Sequence, residues 1–317
     1  MNTADVIIPV YKPDRNFLTL IEKLDRQTIP VNRILILNTE EKYFDRLIYG
    51  TSFFEKYRNV EVTHLSKKEF NHGGTRRRGV ERSEAAVFVM MTQDALPADE
   101  YLIERLVLAL EEKGAAVAYA RQLPAEGCSL IERCARDFNY PPERSVKSLE
   151  DMDRLGIKTF FCSNVCAAYR RETYDGLGGF VKYTIFNEDM IYAAAAVRAG
   201  YRVVYEANAR VVHSHNYTCM QQLRRNFDMG VSQAEHPEVF SGLPAEKEGM
   251  RLVRKTRDYL METGNKRLIP YLYISSLYKY AGYVLGKNYR RLPCFMIKKC
   301  TSNQEYWEQA GAGIKYR

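Results

Sequence analysis

An α/β fold built on a largely parallel sheet is what this sequence predicts, and three observations predict it. Short apolar runs alternate with stretches of helical spacing from residue 6 to residue 120. Polar residues collect in the loops that follow the apolar runs. The composition, 46% apolar and 27% charged, excludes a disordered or collagen-like chain. Residues 6–10 read as a first strand, and 17–27 as a helix through Phe17, Leu18, Ile21 and Leu24. Residues 33–37 follow as a strand, 44–57 as a helix and 60–65 as a third strand. A helix over 75–83, a strand over 86–91, an amphipathic helix over 100–112 and a strand over 115–120 complete the pattern.

In such sheets ligands sit beyond the carboxyl ends of the strands, so the loops there are expected to carry the chemistry. After the third strand, Gly73-Gly74 permits close backbone approach, and Thr75-Arg76-Arg77 places donors at a helix start. That suits a diphosphate, although an ordinary glycine-rich turn has the same composition. Asp94 ends the fourth strand's loop and by itself reads equally as a cap. Glu188 and Asp189 open a helix containing the alanine run 193–196. Adjacent carboxylates project in different directions, so one can be held by the protein while the other faces a pocket. Favourable charge at a helix N-terminus is the plainer reading. His213 and His215 share one face at a strand end, which favours a metal or phosphate role.

No apolar run reaches the roughly 20 residues needed to span a bilayer. The chain enters a strand at once, so no signal peptide is expected. Seven cysteines without a CxxC pair read as thiols of a cytoplasmic protein, with Cys162 and Cys166 buried on one face of a strand. The net charge of +8 is unevenly placed. Through residue 218 there are 30 basic and 30 acidic residues; from 219 onward there are 17 and 9. A neutral domain over 1–218 and a basic helical region over 219–317 are therefore expected.

Taken in order, these segments resemble family 2 glycosyltransferases of the GT-A fold over roughly residues 4–230. The run ending in Pro9-Val10-Tyr11 resembles that family's first nucleotide-binding strand. Residues 71–79 are similar to its Arg-Asn-x-Gly segment, with Arg76 on the arginine and Arg77 in place of the asparagine. Thr92-Gln93-Asp94 occupies the place of its Asp-x-Asp metal motif, with Thr92 replacing the first aspartate. Leu177-Gly-Gly-Phe180 followed by Glu188-Asp189 resembles its acceptor-side turn and base motif. The wording is nearest to bacterial rhamnosyltransferases, in Phe-Asn-His-Gly-Gly-Thr-Arg76 and Thr-Gln-Asp-Ala-Leu-Pro97.

The resemblance implies a mixed, Rossmann-like sheet flanked by helices and an inverting transfer of L-rhamnose from dTDP-L-rhamnose. The implied acceptor is a saccharide, lipid-linked, in surface or capsular polysaccharide synthesis. A UDP-sugar donor or a catalytically idle relative are the alternatives, because Asn38-Thr39 and Thr92 depart from the family pattern. Asp189 is the expected general base and Glu188 its positioning partner. Pro9, Tyr11, Asn38, Gly73, Arg76, Gln93 and Asp94 are expected at the nucleotide sugar. Asp94, His213 and His215 are the expected ligands of Mn2+ or Mg2+.

Beyond the histidines, Arg224 and Arg225 sit in a segment resembling a Gln-x-x-Arg motif of sugar-polymer synthases. They are expected to close on the diphosphate, or else to form a solvated basic face. Ile269, Tyr273, Leu277, Tyr280 and Val284 form one helical stripe flanked by Lys266, Arg267, Lys279, Lys287 and Arg290. Such a helix suits the anionic inner face of the plasma membrane, or packing against the chain, or a homodimer. No nucleic-acid module accompanies the basic residues.

Overall fold

The structure is a computed structural model that describes residues 3–243 and 246–310. Among the described residues the strands are β1 (Ala4–Tyr11), β2 (Val31–Thr39), β3 (Val60–Leu65), β4 (Val87–Met91), β5 (Leu96–Pro97), β6 (Ala115–Leu123), β7 (Ser145–Lys147), β8 (Cys166–Arg170) and β9 (Arg202–Val212). They form one sheet in the order β3-β2-β1-β4-β8-β6-β9-β5, with β7 also on β9. β1 to β4 pair in parallel, but β8 runs antiparallel to both β4 and β6. The sheet is therefore mixed rather than largely parallel. β8 hides its direction in sequence because Cys166 to Tyr169 are buried, as a parallel strand's residues would be.

The helices are α1 (Arg15–Asp25), α2 (Glu41–Ile48), α3 (Phe53–Lys56), α4 (His72–Glu81), α5 (Leu102–Ala109), α6 (Leu130–Asn139), α7 (Met152–Leu155), α8 (Arg171–Gly176), α9 (Glu188–Arg198), α10 (Cys219–Glu235), α11 (Pro237–Phe240), α12 (Glu246–Glu262), α13 (Ile269–Lys287), α14 (Cys294–Cys300) and α15 (Gln304–Ala310). Asp14 caps α1 by accepting the Asn16 N–H, and Phe17, Leu20, Ile21 and Leu24 form its buried face. The helix expected over 44–57 is broken, because Gly50 adopts φ 71° between α2 and α3. α4 lies close on β1 and β2: a Cβ at Gly79 would collide with Ile7 and Leu37.

The chain forms two compact units. The first comprises 1–123, 140–183 and 188–213 and holds the sheet. The second comprises 124–139, 184–187 and the described residues from 214 onward, so it takes in three segments from inside the expected domain of 1–218. Within it, Arg251 of α12 lies over the Phe138 ring of α6. Asp228 of α10 accepts the Thr301 hydroxyl at 2.6 Å and the Ser302 N–H at 2.9 Å. All seven cysteines are free thiols, and burial pushes Cys162 up to about 12. Among the described residues no helix is long and apolar enough to cross a membrane.

Candidate active site

The C-terminal end of β4 gathers the chemistry of the first unit. Thr92 donates its N–H to the Val165 carbonyl at 3.1 Å, which sets the approach to β8 beside the loop carrying Asp94. Asn164, one residue earlier, donates its backbone N–H to Asp189 Oδ2 at 2.9 Å and its side-chain Nδ2 to Glu188 Oε1 at 3.0 Å. The Tyr169 hydroxyl donates to Asn164 Oδ1 at 2.7 Å and fixes that amide's orientation. One asparagine thus holds both carboxylates at the start of α9.

The two carboxylates are held differently. Glu188 is buried and faces Arg76, whose Nε lies 3.2 Å from Glu188 Oε1. Burial alone would push the Glu188 carboxyl up. The Arg76 charge, His72 and the Asn164 amide together outweigh burial and hold it below the usual glutamate range. Asp189 is half-buried, and the Arg76 charge lowers it less than its other neighbours shift it. Burial, and then the charge of Glu188, raises it to about 7, against the backbone N–H groups of Asn164 and Met190 that it accepts. A carboxylate placed there is matched to taking a proton near neutral pH.

A second pair of ligand atoms lies at the end of β9. β5 pairs antiparallel with β9, Leu96 opposite Val212, which brings Asp94 to His213. Asp94 Oδ1 and His213 Nε2 are 3.6 Å apart. The other ring nitrogen, Nδ1, donates to Gln122 Oε1 at 2.9 Å. Gln122 in turn donates Nε2 to the Tyr140 hydroxyl and to Ser163. A glutamine oxygen can only accept, so Nδ1 carries a proton, and in the neutral imidazole Nε2 is the nitrogen with a lone pair on the Asp94 side. An imidazole nitrogen and a carboxylate oxygen so placed fit a divalent cation.

The other residues expected at the nucleotide are placed unevenly. Pro9 and Tyr11 end β1, and Gln93 bonds the Tyr11 backbone twice, accepting its N–H at 2.8 Å and donating to its carbonyl at 3.1 Å. The Lys12 and Lys67 ammonium groups lie over the Tyr11 ring. Asn38 is fully buried and its Nδ2 lies 3.0 Å from His64 Nδ1, so it faces the interior instead of a base. An open cleft beyond β2 and β3 is lined by Glu40, Glu41, Lys42, His64, Leu65 and Ser66.

Gly73 and Gly74 lie in the first turn of α4, where Asn71 accepts the Gly74 N–H. A Cβ at Gly74 would meet Asn71 and the Lys182 carbonyl at 2.7 Å, so its smallness serves chain packing rather than ligand approach. Arg76 likewise differs from expectation. It is 6% exposed, and its charge is engaged by Glu188, because a buried guanidinium needs a carboxylate.

In the second unit, His215 stacks on Tyr217 with ring centroids 4.8 Å apart. Arg224 donates Nε to the Lys299 carbonyl at 3.2 Å, and Arg225 lies over the Phe186 and Tyr217 rings. Both arginines are thus anchored within that unit.

Among the described residues, three that are not glycine have positive φ: Lys12 (50°), Glu40 (69°) and Asn187 (63°). They follow β1, follow β2 and precede α9, so the backbone strain falls at the loops that carry the candidate site. Sequence reading missed Asn164 and Gln122. The segment before β8 drew attention for its cysteines, and no local spacing marks an asparagine that works through a distant helix. Asn187 carried a usable signal, since asparagine tolerates the left-handed region and stands directly before the carboxylate pair.

A family model described as Glycosyl transferase family 2 matches residues 5–178. The O-antigen chain rhamnosyltransferase RfbN of Salmonella typhimurium is 36% identical over 306 residues, 95% of each chain. The O-antigen chain rhamnosyltransferase WbaN of Salmonella anatum is 35% identical over 312 residues, covering 97% of this chain and 96% of the relative. Among solved structures, the mannosyltransferase PcManGT from Pyrobaculum calidifontis, in complex with GDP-Man and Mn2+, aligns with a TM-score of 0.61 at 13% identity, over 90% of this chain and 87% of that one. S. aureus TarS 1-349 in complex with UDP-GlcNAc aligns with a TM-score of 0.51 at 14% identity, over 92% of each. These two likenesses are of fold.

Proposed function

The chain belongs to glycosyl transferase family 2, and from that premise we propose that it transfers L-rhamnose from dTDP-L-rhamnose to a saccharide acceptor of a surface polysaccharide, with inversion at the anomeric carbon. That the chain is a glycosyltransferase follows from the family. The choice of rhamnose is supported by two O-antigen chain rhamnosyltransferases that match nearly its whole length. Seven free thiols support a reducing, cytoplasmic site of action, with a lipid-linked acceptor presented at the inner membrane face.

The observation that carries the mechanism is the division of labour at the start of α9. Glu188 stays charged against Arg76 and orients the turn, while Asp189 takes the proton from the attacking acceptor hydroxyl. A single base suffices for direct displacement, so no protein nucleophile is required. Asp94 and His213 would hold a divalent cation, with His215 two residues on as a further ligand. The imidazole nitrogen favours Mn2+ over Mg2+. When bound, such a cation neutralises charge on the departing diphosphate. Arg224 and Arg225 are our candidates for the remaining contacts to that diphosphate, while Tyr11, held by Gln93, flanks the nucleotide.

The test is a donor screen on the purified chain, comparing dTDP, UDP and GDP by thermal shift with and without Mn2+. A ligand at 100 times its Kd stabilises the native state by about 2.7 kcal/mol. We expect the largest shift with dTDP plus Mn2+, lost in Asp94→Ala and His213→Ala. Stabilisation by UDP or GDP but not by dTDP would refute the donor, and full transfer activity in excess EDTA would refute the metal.

A further inference from the structure

We propose that the exposed face of α13 is a docking surface for an anionic lipid bilayer. Within the second unit α13 turns one face to α10. There Leu272, Ser275, Gly282, Tyr283 and Gly286 are buried, and the Tyr283 hydroxyl donates to Gln233 at 2.9 Å. A helix that settled its apolar residues by packing would show polar side chains on its other face. α13 does the reverse. Tyr273, Leu277, Tyr280 and Val284 are 47%, 64%, 56% and 37% exposed. At about 100° per residue these four, with Lys287 one turn further on, fall within an arc of about 80°. Tyr271 and Ile274 are exposed on the same helix.

Charge identifies the occupant. From residue 264 to residue 304 the chain has eight basic residues and no acidic one. Lys266, Arg267, Lys287, Arg290, Arg291, Lys298 and Lys299 are exposed. Lys279 is the exception: it is half-buried, and burial holds its ammonium below the usual lysine range. An apolar stripe of tyrosine and leucine on a stretch of chain whose charges are all positive matches a bilayer surface, where tyrosine rings sit at headgroup level and lysine and arginine meet anionic headgroups. A second copy of the chain matches poorly. A two-fold interface on this face would bring the cations of residues 264–304 against one another with no acid from that stretch to pair them. The inference concerns α13 alone and stands whichever donor the enzyme uses.

Cosedimentation of the full chain with vesicles tests it, using phosphatidylcholine alone and phosphatidylcholine mixed with phosphatidylglycerol. We expect binding to the mixed vesicles only, weakening as salt rises. Two variants separate the contributions. Lys287→Gln with Arg290→Gln and Arg291→Gln should lose about tenfold or more in vesicle affinity. Tyr273→Ser with Leu277→Ser and Tyr280→Ser should lose binding by a comparable factor. All six side chains are exposed, so the thermal unfolding midpoint of both variants should stay near the native one. No binding of the native chain to mixed vesicles would overturn the proposal, as would variants that bind those vesicles as tightly as the native chain. A native dimer that the serine variant converts to a monomer would assign the face to a second copy instead.

Discussion

As the proposed base, Asp189 owes its place near neutral pH to burial first and to the charge of Glu188 second. Together they raise Asp189 to about 7, so the ionised form that the proposal requires fills in as pH rises through that value. Transfer should therefore show an acidic limb with an apparent pKa near 7, measured as initial rate against pH at saturating donor. Glu188→Gln removes the second cause of the shift and leaves the Arg76 charge uncompensated nearby. The limb should then move to lower pH, while stability falls by about 3–5 kcal/mol for an orphaned buried cation. An unmoved limb would show that Glu188 does not tune Asp189. Asp189→Asn should lower kcat by about 10²–10⁴ and leave nucleotide affinity unchanged, as read by calorimetric titration. Asn164→Ala keeps the backbone bond to Asp189 but loses the amide bond to Glu188, so its rate should fall between those of the native chain and Asp189→Asn.

At the scale of elements, α10 and α13 approach through glycines. A Cβ at Gly282 would collide with the Leu223 carbonyl, one at Gly286 with the Phe227 carbonyl, and one at Gly230 with the Tyr283 carbonyl. Backbone atoms cannot swing aside, so Gly282→Ala should destabilise by about 1–3 kcal/mol or more. Gly249→Ala on α12 meets nothing within 4 Å and should stabilise by about 0.5–1 kcal/mol. Urea midpoints of the two variants should move in opposite directions. These glycines also show what a sequence conveys. β1, β2 and β4 were legible because each holds a short apolar run followed by polar residues, and β3 falls on the expected 60–65. Segments whose meaning lies in a distant partner were not legible. Nothing in β8 marked it as antiparallel because both its faces are buried, and the Arg76 guanidinium looked available because its partner Glu188 stands 112 residues away. The carboxylate pair was visible as a pair, but its division of roles depends on Asn164, which no spacing connects to α9.

For the whole molecule, three groups drawn out of water are expected to give stability an unusual dependence on pH. Burial raises Asp189 and Asp228 each to about 7, and it lowers Lys147 to about 7. Between about pH 4 and 7 the native state holds protons on the two aspartates that the unfolded chain has released. The native state then binds more protons than the unfolded one, so this contribution falls as pH rises. Above about pH 7 the sign reverses. Native Lys147, bonded to the Tyr119 hydroxyl and the Lys158 and Phe161 carbonyls, is neutral while unfolded lysine stays charged up to about pH 10. Here the unfolded state binds more protons, and stability rises with pH until the cysteines begin to ionise near pH 8.5 in the unfolded chain. The three groups together produce a minimum near neutral pH, opposite to the optimum between about pH 5 and 8 common among proteins. Carboxylates held below their usual range, such as Glu61 beside Arg33 and Asp99 beside Arg105 and Arg210, act on the far acid side and leave that window alone. Urea unfolding of the native chain at intervals from pH 5 to pH 8.5 checks this. Asp228→Asn should flatten the falling limb, and Lys147→Met the rising one, each without moving the other. A midpoint that climbs steadily from pH 5 to 7 in the native chain would mean that both aspartates ionise freely in the fold, and with that the case for Asp189 as a base tuned to neutral pH would fail.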